Sequence, residues 1–338
     1  MLRFLGYFSI LAVLGALLAG GGALLVYHHY SRDLPDYQQL ADYQPPVMSR
    51  VYAGDGRLVG EFAIEKRLFV PIKAMPRLVI NAFLAAEDKN FYQHGGIDPI
   101  AIARAALTNL ANMGHDRRPL GASTITQQVA KNFLLTNEVS FARKAKEALL
   151  AMRIERTYSK DKILELYLNE IFLGSGSYGV AAAAYNYFDK SLDQLTIAET
   201  AYLAGLPKAP SSYHPVRNYK RAVERRNYVI QRMAENQFIS EEDAKTAIAE
   251  DLIPHFRPAG AQSPDAQYFA EEIRRWIQQN YGDQALYDGG LAVRSTFDPT
   301  LQRFGVQALR NGLAKRKDVG ALVNACDAGR EGELIFRL

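Results

Sequence analysis

An acidic pair, Glu87 and Asp88, closes an apolar helical run and could carry acid–base chemistry. Two aromatic side chains and a histidine follow within six residues: Phe91, Tyr92 and His94. Apolar neighbours remove water from a carboxylate and raise its proton affinity toward the range that a general base or acid needs near neutral pH. The alternative is a solvated acidic pair that only ends a helix.

A second polar group lies at a predicted loop-to-helix junction, in the segment GASTITQQ at residues 121–128. Its hydroxyl and amide side chains are those of Ser123, Thr124, Gln127 and Gln128. Neutral donors of this kind suit sugar hydroxyls or phosphate oxygens. Ser123 or Thr124 could equally be the N-cap of the following helix, and both roles can hold at once.

A basic residue and an acidic residue are paired on the next predicted helix. Lys144 and Glu147 are three positions apart, so they lie on one helical face. Arg153 lies about two turns further along and could extend the basic strip. The simplest interpretation is an intrahelical salt bridge that contributes roughly 0.3–0.5 kcal/mol.

Helical periodicity dominates from residue 77 to about residue 237, which places these groups in one mainly α domain. Ser159 is the predicted N-cap of the helix that begins at Lys160. Ahead of that domain, alternating residues around the turn at residues 54–56 predict a β-hairpin. Four arginines on a later helix are predicted to form a solvated basic face: Arg217, Arg221, Arg225 and Arg226.

The chain begins with an apolar run free of charged residues from Phe4 to Tyr27, long enough as a helix to cross a hydrocarbon core of roughly 30 Å. We predict an uncleaved anchor, because the apolar run continues past the small residues at 19–22 where a signal peptide could be cut. The flanking charges predict that the start of the chain lies in the cytoplasm and that the rest faces the periplasm or the cell exterior. With Cys326 as the single cysteine, no internal disulfide can form.

Several motifs resemble those of the peptidoglycan glycosyltransferase domain of class A penicillin-binding proteins. They are E-D-x-x-F-x-x-H-x-G-[IV]-D from Glu87, G-[GA]-S-T from Gly121 and R-K-x-x-E from Arg143. Two more motifs lie at residues 160–179 and 199–213. The resemblance implies that residues 160–179 support the cleft. The resemblance implies a mainly α, lysozyme-like glycosyltransferase domain preceded by one transmembrane helix, with small β segments in the stalk and linker.

By this resemblance the chain has five parts. These are an anchor at residues 1–30, a stalk and hairpin at 31–72, the glycosyltransferase domain at 73–240, a linker at 241–316 and a tail at 317–338. The linker leads toward a transpeptidase domain, but S-x-N and K-T-G do not occur here, so no penicillin binding is expected. The tail resembles the D-x-x-R-E-G-E motif of type IA topoisomerases; we expect it to be foreign to the domain and poorly packed.

The family resemblance also implies a reaction, the polymerisation of lipid II into glycan strands with inversion and release of polyprenyl pyrophosphate. Glu87 would be the base, and Glu147 the second functional carboxylate. Lys144 and Arg153 would meet the pyrophosphate, with or without a divalent cation such as Mg²⁺ or Mn²⁺. The remaining predicted substrate-binding residues are Asp88, His94, Ser123, Thr124, Gln127 and Gln128. No metal-ligating residue and no required cofactor are predicted.

The predicted partners are lipid II, the growing glycan strand, the membrane and other cell-wall synthesis proteins. The net charge of +4 is too small to indicate nucleic acid, and none is expected. The predicted location is the bacterial inner membrane, with a single span and the catalytic domain outside the cytoplasm. One alternative is a lysozyme-like glycan-cleaving enzyme, although an uncharged leaving group has no use for a basic strip. The other is an inactive membrane-anchored scaffold.

Overall fold

The computed structural model describes residues 14–15, 20–22, 25, 27–41, 43, 48–63, 66–112, 121–136, 138, 140–256 and 266–315. The predicted anchor at 1–30 lies largely outside these residues, and the predicted foreign tail at 317–338 lies wholly outside them. Within the described ranges, no helix combines the length and the apolar character needed to cross a bilayer.

The chain separates into two compact units, Met1–Pro45 with Arg67–Phe256, and Pro46–Lys66 with Arg257–Leu338. The described part of the first unit is mainly helical, as predicted. Its α-helices are α1 (Arg77–Glu87), α2 (Pro99–Ala111), α3 (Ile125–Leu134), α4 (Phe141–Thr157), α5 (Lys160–Glu170), α6 (Val180–Phe188), α7 (Ile197–Gly205), α8 (Tyr219–Glu235) and α9 (Glu241–Ala249). Short 3-10 turns link several of them, including Phe91–Gln93 after α1 and Leu206–Lys208 after α7.

Side-chain caps fix the starts of the helices that carry the predicted chemistry. The Ser159 hydroxyl accepts from the backbone N–H of Lys162, which confirms the predicted cap of α5. At α4 the Ser140 hydroxyl accepts from Arg143 in the same way. Such a cap contributes about 1 kcal/mol, because it satisfies a backbone donor that the helix itself cannot.

Helix α1 is held by its apolar face. Val79, Ile80, Phe83 and Leu84 are buried in the main core, where α1 packs against α7 and α8. Burial of each such side chain contributes about 1.5–3 kcal/mol, far more than any surface contact of this helix could. The last residue of α1, Glu87, is therefore presented from a fixed element.

The polar face of α5 anchors the chain segment that leads into α1. Asn169 donates to the Val70 carbonyl at 2.9 Å and accepts from the Val70 N–H at 2.8 Å. Glu165 accepts from the N–H of Ile72 at 3.0 Å, and Glu170 forms an ion pair with Arg67. These contacts hold residues 67–72 against α5, while support of a cleft by the 160–179 motif stays a prediction.

The second unit contains a small sheet and two helices. Among the described residues the strands are β1 (Ser49–Tyr52), β2 (Leu58–Phe62), β3 (Lys66–Arg67), β4 (Ser177–Tyr178) and β5 (Ala292–Arg294), of which β1, β2 and β5 form this sheet. The helices of the second unit are α10 (Gln267–Tyr287) and α11 (Pro299–Ala314). Strands β1 and β2 are antiparallel, with Val51 opposite Gly60, which confirms the predicted hairpin. Strand β5 adds to β1 in parallel, with Val293 beside Val51, so the predicted linker strand completes the hairpin's sheet.

Candidate active site

Glu87 lies in a largely desolvated position at the end of α1, with 14% of its side chain exposed. Gln128 on α3 donates to its carboxylate at 2.9 Å, and an Arg225 guanidinium nitrogen on α8 lies 3.6 Å away. Burial is the largest influence and raises the pKa of Glu87, while Gln128, Arg225 and Lys208 act in the lowering direction. A carboxyl whose pKa is raised by burial binds a proton more readily than an exposed one, as a general base requires.

The neighbouring carboxylate, Asp88, is turned into the protein. It accepts from the backbone N–H of Ile125 at 2.9 Å and contacts Nε2 of His94 at 3.0 Å. Nδ1 of His94 accepts a hydrogen bond from the Gly96 N–H. A neutral His94 therefore carries its proton on Nε2 and donates a hydrogen bond from this N–H to Asp88. Both side chains are used in holding the 88–98 loop to the start of α3.

Thr124 and Gln127 form the capping box that starts α3. The Thr124 hydroxyl accepts from the Gln127 N–H at 3.1 Å, and the Gln127 side chain accepts from the Thr124 N–H at 3.0 Å. Thr124 also donates to the Gly96 carbonyl at 2.6 Å. Of the two candidate N-caps, Ser123 and Thr124, the structure uses Thr124, and both capping-box side chains already have internal partners.

Gly96 lies where only glycine fits, so its replacement should destabilise the fold. Its φ is +97°, and a Cβ there would lie 2.7 Å from the backbone of Ala151 on α4. We expect Gly96→Ala to lower the free energy of unfolding by about 2–4 kcal/mol, measured by denaturant titration. Gly95→Ala is the control, because a Cβ at that exposed position meets nothing within 4 Å. Equal stability of the two variants would contradict the prediction.

The second predicted pair is a compact charged cluster on α4. Lys144 Nζ lies 2.5 Å from Glu147 and 2.7 Å from the Ser123 hydroxyl, and Arg143 lies 3.2 Å from the other Glu147 oxygen. Glu147 is 2% exposed, whereas about half of the Lys144 side chain, 48%, is exposed. The predicted salt bridge is present, and its cation remains open to an anion from solution.

Both clusters border the first turns of α3. Ser123, just before the helix, contacts Lys144, while Gln128 in its second turn contacts Glu87. Ser123 and Gln128 are five positions apart in the sequence, so the exposed cation and the desolvated carboxylate contact one short piece of backbone.

Comparison with known proteins decides the family. A family model described as Transglycosylase matches residues 55–234, which is more than half of the chain. This chain belongs to the transglycosylase family. Penicillin-binding protein 1A of Rickettsia felis is 51% identical over 90% of this chain, and that of Vibrio cholerae is 44% identical over 85%.

The chain spans about 38% of the length of the Rickettsia felis relative and 34% of the Vibrio cholerae relative. The matched region of the chain is a peptidoglycan glycosyltransferase domain of the kind that penicillin-binding protein 1A carries. The solved structure of penicillin-binding protein 1A from Haemophilus influenzae is 30% identical, covering 80% of this chain and 30% of that one, with a TM-score of 0.46, too low to serve as evidence for the fold.

In this transglycosylase domain, Arg153 is not part of the Lys144 cluster. It lies six positions, roughly 9 Å, beyond Glu147 along α4, and it donates to the Ser31 carbonyl at 3.4 Å. The guanidinium therefore contacts the segment that follows the predicted anchor. A role at the pyrophosphate stays a prediction for this residue.

The prediction of a solvated basic face is wrong for two of the four arginines, Arg225 and Arg226, and a third, Arg217, is exposed but precedes α8. Arg226 is 1% exposed and donates to the carbonyls of Ile248 and Glu250 at the end of α9. Arg225 faces Glu87. A signal was present in the sequence, because position 226 falls on the apolar helical stripe that also contains Ala222, Val229, Ile230 and Met233.

A buried network behind the site was missed entirely. Glu155 accepts from the Thr126 hydroxyl and from Lys160 Nζ, each at 2.6 Å. The same ammonium donates to the His94 carbonyl at 2.7 Å and lies 4.4 Å from the Phe91 ring centroid. This network connects the 88–98 loop to α3 and α4. No local sequence pattern predicts it.

The described residues contain no group of three His, Cys, Asp or Glu side chains that could hold a metal ion. Both oxygens of Glu147 already face cations, so its cluster does not fit a divalent cation held by the protein alone.

Proposed function

We propose that this chain polymerises lipid II into glycan strands, with Glu87 as the general base. The observation that supports this most strongly is a desolvated carboxylate and an exposed, anchored cation at the start of one helix. The 4-hydroxyl of an acceptor sugar is a weak nucleophile, and its proton must leave as the oxygen attacks. Glu87 takes that proton as the new glycosidic bond forms.

The leaving group is a polyprenyl pyrophosphate, and its negative charge develops as the bond to the anomeric carbon breaks. Lys144 stabilises this charge, while Glu147 and Ser123 fix the ammonium in place. Attack from the face opposite the pyrophosphate inverts the anomeric centre, as in other sugar enzymes with two separated carboxylates. We propose no transpeptidase activity for this chain.

We further propose that the domain works against the bacterial inner membrane, on its outer side, anchored by the first 30 residues. Helix α2 exposes large apolar side chains, and so does the start of α4: Ile100, Ile102, Leu107, Leu110 and Phe141. Leu107 and Leu110 are 70% and 67% exposed, an arrangement typical of contact with lipid. A substrate with a polyprenyl tail stays in that bilayer, which raises its effective concentration at the site.

The double variant Leu107→Glu, Leu110→Glu tests the lipid contact. We expect at least about a tenfold higher KM for lipid II in vesicles, because two carboxylates on this face oppose insertion. With a short-chain substrate in solution, kcat/KM should stay unchanged. A matched control is Thr108→Glu on the same helix, whose side chain is only partly exposed and hydrogen-bonds the Arg104 carbonyl. An unchanged KM in vesicles would argue against this orientation.

Two substrates separate the proposal from its alternatives. Purified full-length chain is incubated with lipid II and, separately, with finished peptidoglycan. Polymer from lipid II with a β-linked product, read by NMR, supports the synthase. Fragments from peptidoglycan indicate a lysozyme-like enzyme, and no product from either substrate indicates the scaffold that binds cell-wall proteins.

A further inference from the structure

Arg225 makes an ion pair with Glu87 that neither the motifs nor the proposed mechanism requires. A guanidinium nitrogen lies 3.6 Å from a Glu87 oxygen, and the two side chains are 10% and 14% exposed. The distance is too long for a hydrogen bond, so the interaction is electrostatic. Screening by solvent is weak at such low exposure, and the charge of Arg225 favours the ionised form of Glu87.

The guanidinium is held from its other side by α7. Its Nε donates to the Gly205 carbonyl at 3.0 Å, and its carbon lies 5.0 Å from the Tyr228 ring centroid. Gly205 leaves room for the arginine stem, because a Cβ there would lie 2.9 Å from Arg225 Cγ. The position of the cation is therefore set independently of Glu87.

We propose that Arg225 is a positioning residue that returns Glu87 to the carboxylate form after each sugar addition. This inference rests on the proposed function. Each addition leaves a proton on Glu87, and a chain-forming enzyme must pass that proton to solvent water, which the 14% exposed side chain can reach, before the next addition. Because Gly205 fixes Arg225, protonation of Glu87 leaves a buried cation without its counter-charge, which favours release of the proton.

The other groups around Glu87 do not replace this function. Asp88 repels the ionised form, and Gln128, which lowers the pKa of Glu87 more than Arg225 does, acts through one hydrogen bond and carries no charge. Lys208 acts less strongly than Arg225. The Tyr167 hydroxyl on α5 is buried without a hydrogen-bond partner among the described residues, and it interacts electrostatically with Glu87 while staying protonated. Arg225 is therefore the largest charge that stabilises the Glu87 carboxylate.

The test compares pH profiles of kcat/KM for lipid II polymerisation in four full-length variants. For Arg225→Met we expect the acidic limb to move upward by about one pH unit. For Arg225→Lys the acidic limb should lie much closer to its wild-type position. Gly205→Ala keeps the charge but displaces it, so its limb should move in the same direction as that of Arg225→Met. Arg221→Met, one turn earlier on α8 and exposed, should leave the limb in place.

A readout without catalysis separates this inference from the proposed function. Carboxyl ¹³C NMR of glutamate-labelled chain, with Glu87→Gln to assign the signal, measures the pKa of Glu87 directly. A higher pKa in Arg225→Met supports the inference even if lipid II is not polymerised. An unchanged pKa and an unchanged acidic limb overturn it, even where the wild-type chain is an active polymerase.

Discussion

Replacement of Glu87 by glutamine is expected to reduce lipid II polymerisation by about a hundredfold to ten-thousandfold. Glutamine keeps the shape and the hydrogen-bonding contact with Gln128, but it cannot accept the proton of the acceptor hydroxyl. The measurement is the initial rate of polymer formation at saturating lipid II. Glu224→Gln on α8, an exposed position, is the matched control and should keep the wild-type rate.

The same substitution should stabilise the fold, which separates lost chemistry from lost structure. Burial raises the pKa of Glu87, so the folded chain binds this proton to a higher pH than the unfolded chain does. Stability from this group is therefore lost as the pH rises through the folded pKa. Tm of Glu87→Gln should exceed that of the wild type near pH 8, and the difference should shrink toward about pH 4. A lower Tm of Glu87→Gln near pH 8 would mean that its inactivity results from a damaged fold.

Replacement of Lys144 by methionine is expected to lower kcat by about a hundredfold to a thousandfold. The ammonium is the exposed cation nearest the buried Glu147, and its charge stabilises a pyrophosphate only as the bond to it breaks. We therefore expect KM to change much less than kcat in steady-state kinetics.

Lys146→Met is the matched control for this prediction. Lys146 is on the same helix, but residues two positions apart do not share a face, so its loss should leave kcat nearly unchanged. Lys144→Arg should recover part of the rate, because the charge is kept while its reach changes. A loss of similar size in Lys146→Met would show that overall helix charge matters, and not the contact with Ser123 and Glu147.

Local signals in the sequence were sufficient for much of this site. The three-residue spacing of Lys144 and Glu147 predicted their salt bridge, and the two hydroxyls before α3, Ser123 and Thr124, predicted a side-chain cap that Thr124 provides. The apolar run before Glu87 predicted its desolvation. Each of these depends on contacts within a few turns of helix, which periodicity and capping rules describe.

Contacts across long stretches of chain could not be predicted. Arg225 reaches Glu87 across 138 positions of sequence only because α8 packs on α1. Asp88 and His94 contact Ile125 and Gly96 within the protein, and their predicted roles in substrate binding stay predictions. Side-chain periodicity shows which face of a helix is buried, but not which partner lies opposite. Tertiary packing decides that.

The most direct test is a crystal structure of the full chain with a non-reactive lipid II analogue in the donor position and a second sugar as acceptor. The account predicts the acceptor 4-hydroxyl within about 3.2 Å of Glu87 and the pyrophosphate beside Lys144. A pyrophosphate bound away from Lys144, or an acceptor hydroxyl out of reach of Glu87, would contradict the account.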